Sequence, residues 1–195
     1  MVWYDEQHIP CICVTNRKLV DGERFLPQIE KLLTTNAKAI VLREKDLEEK
    51  AYERVAKRVL EIAAERKERI ILHNFWKTAL ALGIKKIHVP LHVLEQIPEI
   101  ERNQFSVIGT SVHSLEQLMQ VQRLGVSYVF AGHIFATDCK KGLAPRGLSF
   151  LKEICEASQV PVYAIGGIKK ENAESCIENG CLLYTSPSPR DISGS

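Results

Sequence analysis

Residues 106–134 read SVIGTSVHSLEQLMQVQRLGVSYVFAGHI. An apolar run, Ser106–Ser111, leads to Ser114, which can cap a helix, with Gln117 three residues on as in a capping box. A second apolar run, Tyr128–Ile134, follows. Strand, helix, strand is the unit of a parallel sheet, because a parallel pair needs a long crossover and a helix supplies it. The same alternation extends outward in both directions. Val- and Ile-rich runs recur at Cys11–Thr15, Ala39–Leu42, Arg69–His73, Lys86–Val89 and Pro161–Ile165. Charged amphipathic stretches separate them. The longest is Leu47–Lys67, where Tyr52, Val55, Val59 and Ile62 fall at spacings of three and four and predict one apolar helix face. Lys170–Asn179 reads as a further helix that stops at Gly180. Seven β-then-α units follow from this pattern. Strands this apolar indicate an α/β fold whose parallel sheet is covered on both faces. An open doubly wound sheet and a (β/α)8 barrel both satisfy it. The first run is not followed by Gly-x-Gly-x-x-Gly, which weakens the dinucleotide-binding version.

Composition narrows the class. The chain has 195 residues, 45% hydrophobic and 26% charged, the balance of a soluble globular domain. No apolar run approaches the ~18 residues of a membrane span. Met1–Pro10 holds Asp5 and Glu6 and no apolar core, so no signal peptide is expected. Twenty-six basic against 24 acidic residues give a net charge of +2, too even for a nucleic-acid surface. The six cysteines include no Cys-x-x-Cys pair. Cys11 and Cys13 sit two apart in a strand-like run and are expected to share a buried side. The expectation is a cytoplasmic protein without nucleic-acid or membrane partners. A homo-oligomer is compatible with it.

In a barrel, chemistry gathers where strands run into the following loops. Thr15-Asn16-Arg17, Arg43-Glu44-Lys45, His73-Asn74, Thr110-Ser111-Val112-His113, Gly132-His133 and Gly166-Gly167 all fall there. Gly166 and Gly167 let backbone N–H groups approach an anion, or else serve a tight turn. Arg43 and Lys45 suit a phosphate or carboxylate, with Glu44 either between them or holding them in place. His133 ends a strand in a loop carrying Thr137, Asp138, Cys139, Lys140 and Lys141. Histidine can take and return a proton near neutrality, although at a strand end it also serves as a plain structural residue. His88 and His92 are four apart, but Pro90 between them argues against a helix presenting both to a metal. His8 is expected to be exposed.

Val41-Leu-Arg-Glu-Lys45, Ile108-Gly-Thr-Ser-Val-His-Ser-Leu-Glu116, Val129–Gly142 and Ala164-Ile-Gly-Gly-Ile168 together resemble the thiamine phosphate synthase superfamily over residues 10–180. The resemblance implies a (β/α)8 barrel that binds a thiazole phosphate. Its magnesium-dependent branch joins a pyrimidine pyrophosphate to that thiazole phosphate. That branch has Asn-Asp after the third strand and another Asp shortly after the fourth. Here Asn74 is followed by Phe75, and Leu91–Leu94 holds no Asp. Cys139 stands where that branch has a pyrophosphate-gripping Thr. Gly132-His133 and Thr137-Asp138-Cys139-Lys140-Lys141-Gly142 resemble instead the TenI-like thiazole tautomerases. The expectation is therefore a cofactor-free isomerase with His133 as catalytic base. Arg43, Lys45, Asn74, Ser111, Thr137, Cys139, Lys140, Gly166 and Gly167 would bind its substrate. The coupling transferase, with magnesium, and a non-catalytic phosphate-ligand-binding protein are the alternatives.

The end of the chain breaks the pattern. Cys181–Ser195 carries four serines and two prolines and resembles translated sequencing-adapter read-through. A (β/α)8 barrel usually takes about 250 residues. The expectation is a truncated barrel: residues 1–180 with seven native units, residues 181–195 a non-native tail, and the eighth strand and helix missing or replaced. Open edges on the first and seventh strands would then make the chain insoluble or inactive.

Overall fold

The computed structural model describes residues 11–20, 22–137, 142–181 and 183–186. Eight parallel strands close into a barrel in chain order. They are β1 (Cys11–Val14), β2 (Ala39–Leu42), β3 (Ile70–His73), β4 (Lys86–Val89), β5 (Val107–Val112), β6 (Tyr128–Gly132), β7 (Val162–Ile165) and β8 (Leu183–Ser186). The α-helices are α1 (Phe25–Leu33), α2 (Glu49–Ala63), α3 (Trp76–Ala81), α4 (Leu91–Leu94), α5 (Glu99–Arg102), α6 (Leu115–Arg123), α7 (Gly147–Ala157) and α8 (Lys170–Glu178).

Period-two alternation divides the core. Cys11, Cys13, Ile40, Leu42, Ile70 and Leu72 pack outward against the helices. Ile12, Val14, Ala39, Val41, Ile71, Tyr128, Phe130 and Tyr163 fill the barrel interior. Strands β1–β7 are thus buried on both faces along most of their length, which is why they read as continuous apolar runs. Cys11 and Cys13 do share one buried side. In α2 the buried face is Tyr52, Ala56, Val59 and Ala63, with Val55 and Ile62 only partly covered. The small alanines let the helix approach the sheet closely, and apolar size alone does not reveal that. Ser114 caps α6 by accepting from the Gln117 backbone N–H. The Gln117 side chain accepts from His113 N–H, one residue before the expected partner.

The expected gap between the first and seventh strands is not there. β8 pairs with β1 through Cys11↔Tyr184, Ile12↔Thr185 and Cys13↔Ser186. It pairs with β7 through Tyr163↔Leu183 and Ala164↔Tyr184. Both edges expected to be open are therefore hydrogen-bonded. Pro187 and Pro189, which argued against a strand, lie beyond Ser186. The residues that pair all keep their backbone N–H.

Candidate active site

The C-terminal ends of the strands surround a cavity of about 440 Å³, within the range of small-molecule sites. Val14, Val41, Phe130 and Ile165 form apolar walls, and His73 and His88 lie among them. Arg43, Lys45, Asn74, Ser111, Thr137, His133 and Gly166 line it, as the sequence led one to expect. Gly167 does not line it. Asp138, Cys139, Lys140 and Lys141 lie outside the described residues, as does His8.

Arg43 and Lys45 owe their placement to the residue between them. Glu44 turns inward and is 2% exposed. Its carboxylate accepts from Thr15 Oγ1 at 2.5 Å and from Arg17 N–H at 2.9 Å. Arg43 N–H in turn donates to Thr15 Oγ1 at 2.9 Å. Glu44 thus ties the β1 and β2 loops together, and Arg43 and Lys45 on either side of it both line the cavity. Burial pushes the Glu44 carboxyl above its usual value, against the hydrogen bonds from Thr15 and Arg17. On the next strand, Tyr52 from α2 donates to Leu42 O at 2.8 Å and accepts from His73 N–H at 2.7 Å. It thereby fixes the ends of β2 and β3. Asn74 follows with φ +70°, a left-handed conformation that Asn tolerates better than most residues.

His133 sits just past β6 and is 5% exposed. Its Nε2 lies 3.3 Å from Leu143 O, a donor's position. Nδ1 is buried with no hydrogen-bond partner among the described residues. Gly166 explains how the ring fits. A Cβ there would lie 2.4 Å from His133 Cβ, and its φ is +99°. Gly167, at φ +67°, passes equally close to Ala136 O, at 2.4 Å from its would-be Cβ. The double glycine therefore seats the β6 loop, and Gly166 borders the cavity as well. Asn172, near the start of α8, accepts from Lys169 N–H and donates to Gly167 O, fixing the turn.

The histidines end up apart in role. His73 and His113 do line the same mouth. His113 Nδ1 lies 2.6 Å from Gly132 O, to which it donates. His88 lies inside the barrel on β4, whereas His92 is exposed on α4 beyond Pro90. His73 and His88 stack with their rings 14° from parallel and their centroids 6.0 Å apart, and Phe130 packs against His88 at 4.3 Å. Burial holds both imidazoles neutral. It pushes His88 down to about 3, helped by the Arg43 charge. It pushes His73 well below its ordinary value, helped by His88, Arg43 and Lys45. Sequence reasoning missed Phe130 and Tyr128 as cavity and interior residues. Counting back by twos from Gly132 on β6 would have found them.

Magnesium prefers hard oxygen ligands. Glu44 is the one carboxylate among the described cavity residues, and it is committed to Thr15 and Arg17. No group of three or more His, Cys, Asp or Glu among the described residues could hold a metal ion. The described donor set does not fit magnesium.

The family model described as thiamine monophosphate synthase, TMP-TENI, matches residues 11–184. The thiamine-phosphate synthase of Desulfitobacterium hafniense strain Y51 is 35% identical over 173 residues, covering 86% of this chain and 82% of the relative. A protein of Aquifex aeolicus with the provisional name thiamine-phosphate synthase 2 is 32% identical over 167 residues, covering 86% and 89%. Among solved structures, the thiamine phosphate pyrophosphorylase of Pyrococcus furiosus superposes with a TM-score of 0.77 at 25% identity, covering 95% of this chain and 89% of that one. These findings overturn the expected tautomerase. Relatives matched over most of their length are named as synthases, so the isomerase reading drawn from Gly132-His133 is replaced by the transferase alternative.

Proposed function

This chain belongs to the thiamine monophosphate synthase family, and we propose that it is a transferase joining a pyrimidine pyrophosphate to a thiazole phosphate. The observation that carries this reading is the cavity's polarity. Arg43 and Lys45 supply cations at the mouth, and neutral His73, neutral His88 and Phe130 supply a flat, weakly polar interior. A ligand that is anionic at one end and a planar heterocycle at the other matches both parts. In the coupling, a bond to the thiazole forms as pyrophosphate leaves. Cations placed where that charge develops lower the barrier more than they stabilise the bound substrates. Ser111 and Asn74 offer polar contacts to the rings. No step is assigned to a metal, because the described donors do not form a magnesium site.

Phosphate recognition gives the direct check. Thiazole phosphate should bind at least about tenfold more tightly than the dephosphorylated thiazole, the scale of a charge-assisted hydrogen bond. Arg43→Ala should remove most of that difference in a calorimetric titration. Equal affinity for the two ligands in the unmodified chain would count against the proposal.

A further inference from the structure

Three residues on neighbouring strands form a hydrogen-bonded line that ends at the cavity. Tyr128 on β6 places its hydroxyl 3.0 Å from His88 Nδ1, and His88 Nε2 lies 3.1 Å from Ser111 Oγ on β5. Tyr128 and His88 are buried, 5% and 3% exposed, whereas Ser111 is half-buried and lines the cavity. Gly109 makes room for the line. A Cβ there would fall 2.0 Å from the Tyr128 ring.

Two proton arrangements satisfy these distances. In the first, Tyr128 donates to His88 Nδ1, His88 Nε2–H donates to Ser111 Oγ, and the Ser111 proton is left over. In the second, Ser111 donates to Nε2, Nδ1–H donates to Tyr128, and the Tyr128 proton is left over. Among the described residues, the Tyr128 hydroxyl has no acceptor other than His88. The second arrangement therefore strands a donor inside the barrel, at the full desolvation cost of an unmade bond. The first places the spare proton where solvent or a ligand can accept it.

We propose that Tyr128 and His88 are positioning residues that fix the Ser111 hydroxyl as a hydrogen-bond donor into the cavity, so that the ligand atom facing Ser111 is an acceptor on the heterocycle. This rests on the transferase reading for the identity of the ligand, but not for the proton order. Ser111 is the residue that touches the ligand, and the other two act through it.

The test has two arms on the full 195-residue chain. In the first, imidazole ¹⁵N NMR at pH 7 without ligand assigns the His88 tautomer, with His88→Gln identifying the signals. A pyridine-like Nδ1 and a protonated Nε2 are expected; a protonated Nδ1 overturns the proposal. In the second, thiazole phosphate affinity is measured for Tyr128→Phe, Ser111→Ala and the double variant. Each single substitution should weaken binding about 3- to 10-fold. Tyr128→Phe should add nothing once Ser111 is alanine, and additive losses would overturn the relay. If thiazole phosphate does not bind the unmodified chain, the transferase reading falls, while the tautomer still decides the relay.

Discussion

At the scale of single residues, burial decides what each polar group can do. His88 has an ordinary value of 6.5 that falls to about 3 in the folded chain. Its folded value lies below its unfolded one, so the unfolded chain takes up protons first. The stability this group contributes is present above pH 6.5 and is lost as pH falls toward 3. His73 acts in the same direction. The melting temperature should therefore decline between pH 7 and pH 5, and His88→Gln should flatten that slope. An unchanged slope would show that His88 is not held neutral. Tyr52 makes the sharpest single-atom prediction. Tyr52→Phe removes the hydroxyl that serves both Leu42 O and His73 N–H. It should cost about 1–3 kcal/mol in denaturant unfolding. Much of the site was legible at this scale. Arg43, Lys45, Asn74, Ser111, His133 and Gly166 stood out by strand-end position, and Thr137 through its loop and the family resemblance; all of them line the cavity. The inward turn of Glu44 was not legible, because its partners Thr15 and Arg17 lie 29 and 27 residues away along the chain.

At the scale of elements, the strand-to-loop junctions carry the constraints. β6 ends at Gly132, two residues earlier than its apolar run suggested; His133 lies against Gly166, while Ile134 N–H still donates to Ile165 O. Gly166→Ala would put a side chain on a φ of +99° and against His133 Cβ. It should cost about 1–3 kcal/mol for the backbone conformation, with the clash added. Substrate affinity should drop with it, because His133 cannot stay in place; a Gly166→Ala chain of unchanged stability and affinity would refute the close packing. The helices show the limits of pattern reading. The 3.6-residue period found α2 and one of its faces, but the buried face includes Ala56 and Ala63 beside Tyr52 and Val59. A hydrophobic count underrates alanine where the backbone itself packs.

At the scale of the whole molecule, closure matters most. The sequence reading stopped at seven units because the two prolines near the C-terminus signal a broken strand. Only the three-dimensional register shows that Leu183–Ser186 ends just before them and pairs on both sides. A chain ending at Cys181 would expose the edges of β1 and β7. It should lose cooperative melting and aggregate, while the 195-residue chain melts in a single transition; equal behaviour of the two would remove β8 from the account of stability. The fold class itself was legible because both-face burial writes each parallel strand as an apolar run. The reaction was not, because Gly132-His133 looked like a catalytic signature and also meets a packing need against Gly166. The transferase reading is tested most directly by supplying pyrimidine pyrophosphate and thiazole phosphate together and following thiamine phosphate and released pyrophosphate by ³¹P NMR. The two products should appear in equal amounts and should fall at least about tenfold with Arg43→Ala, the scale of one lost charge-assisted contact. Binding of both precursors with no product, with magnesium added or withheld, would contradict it.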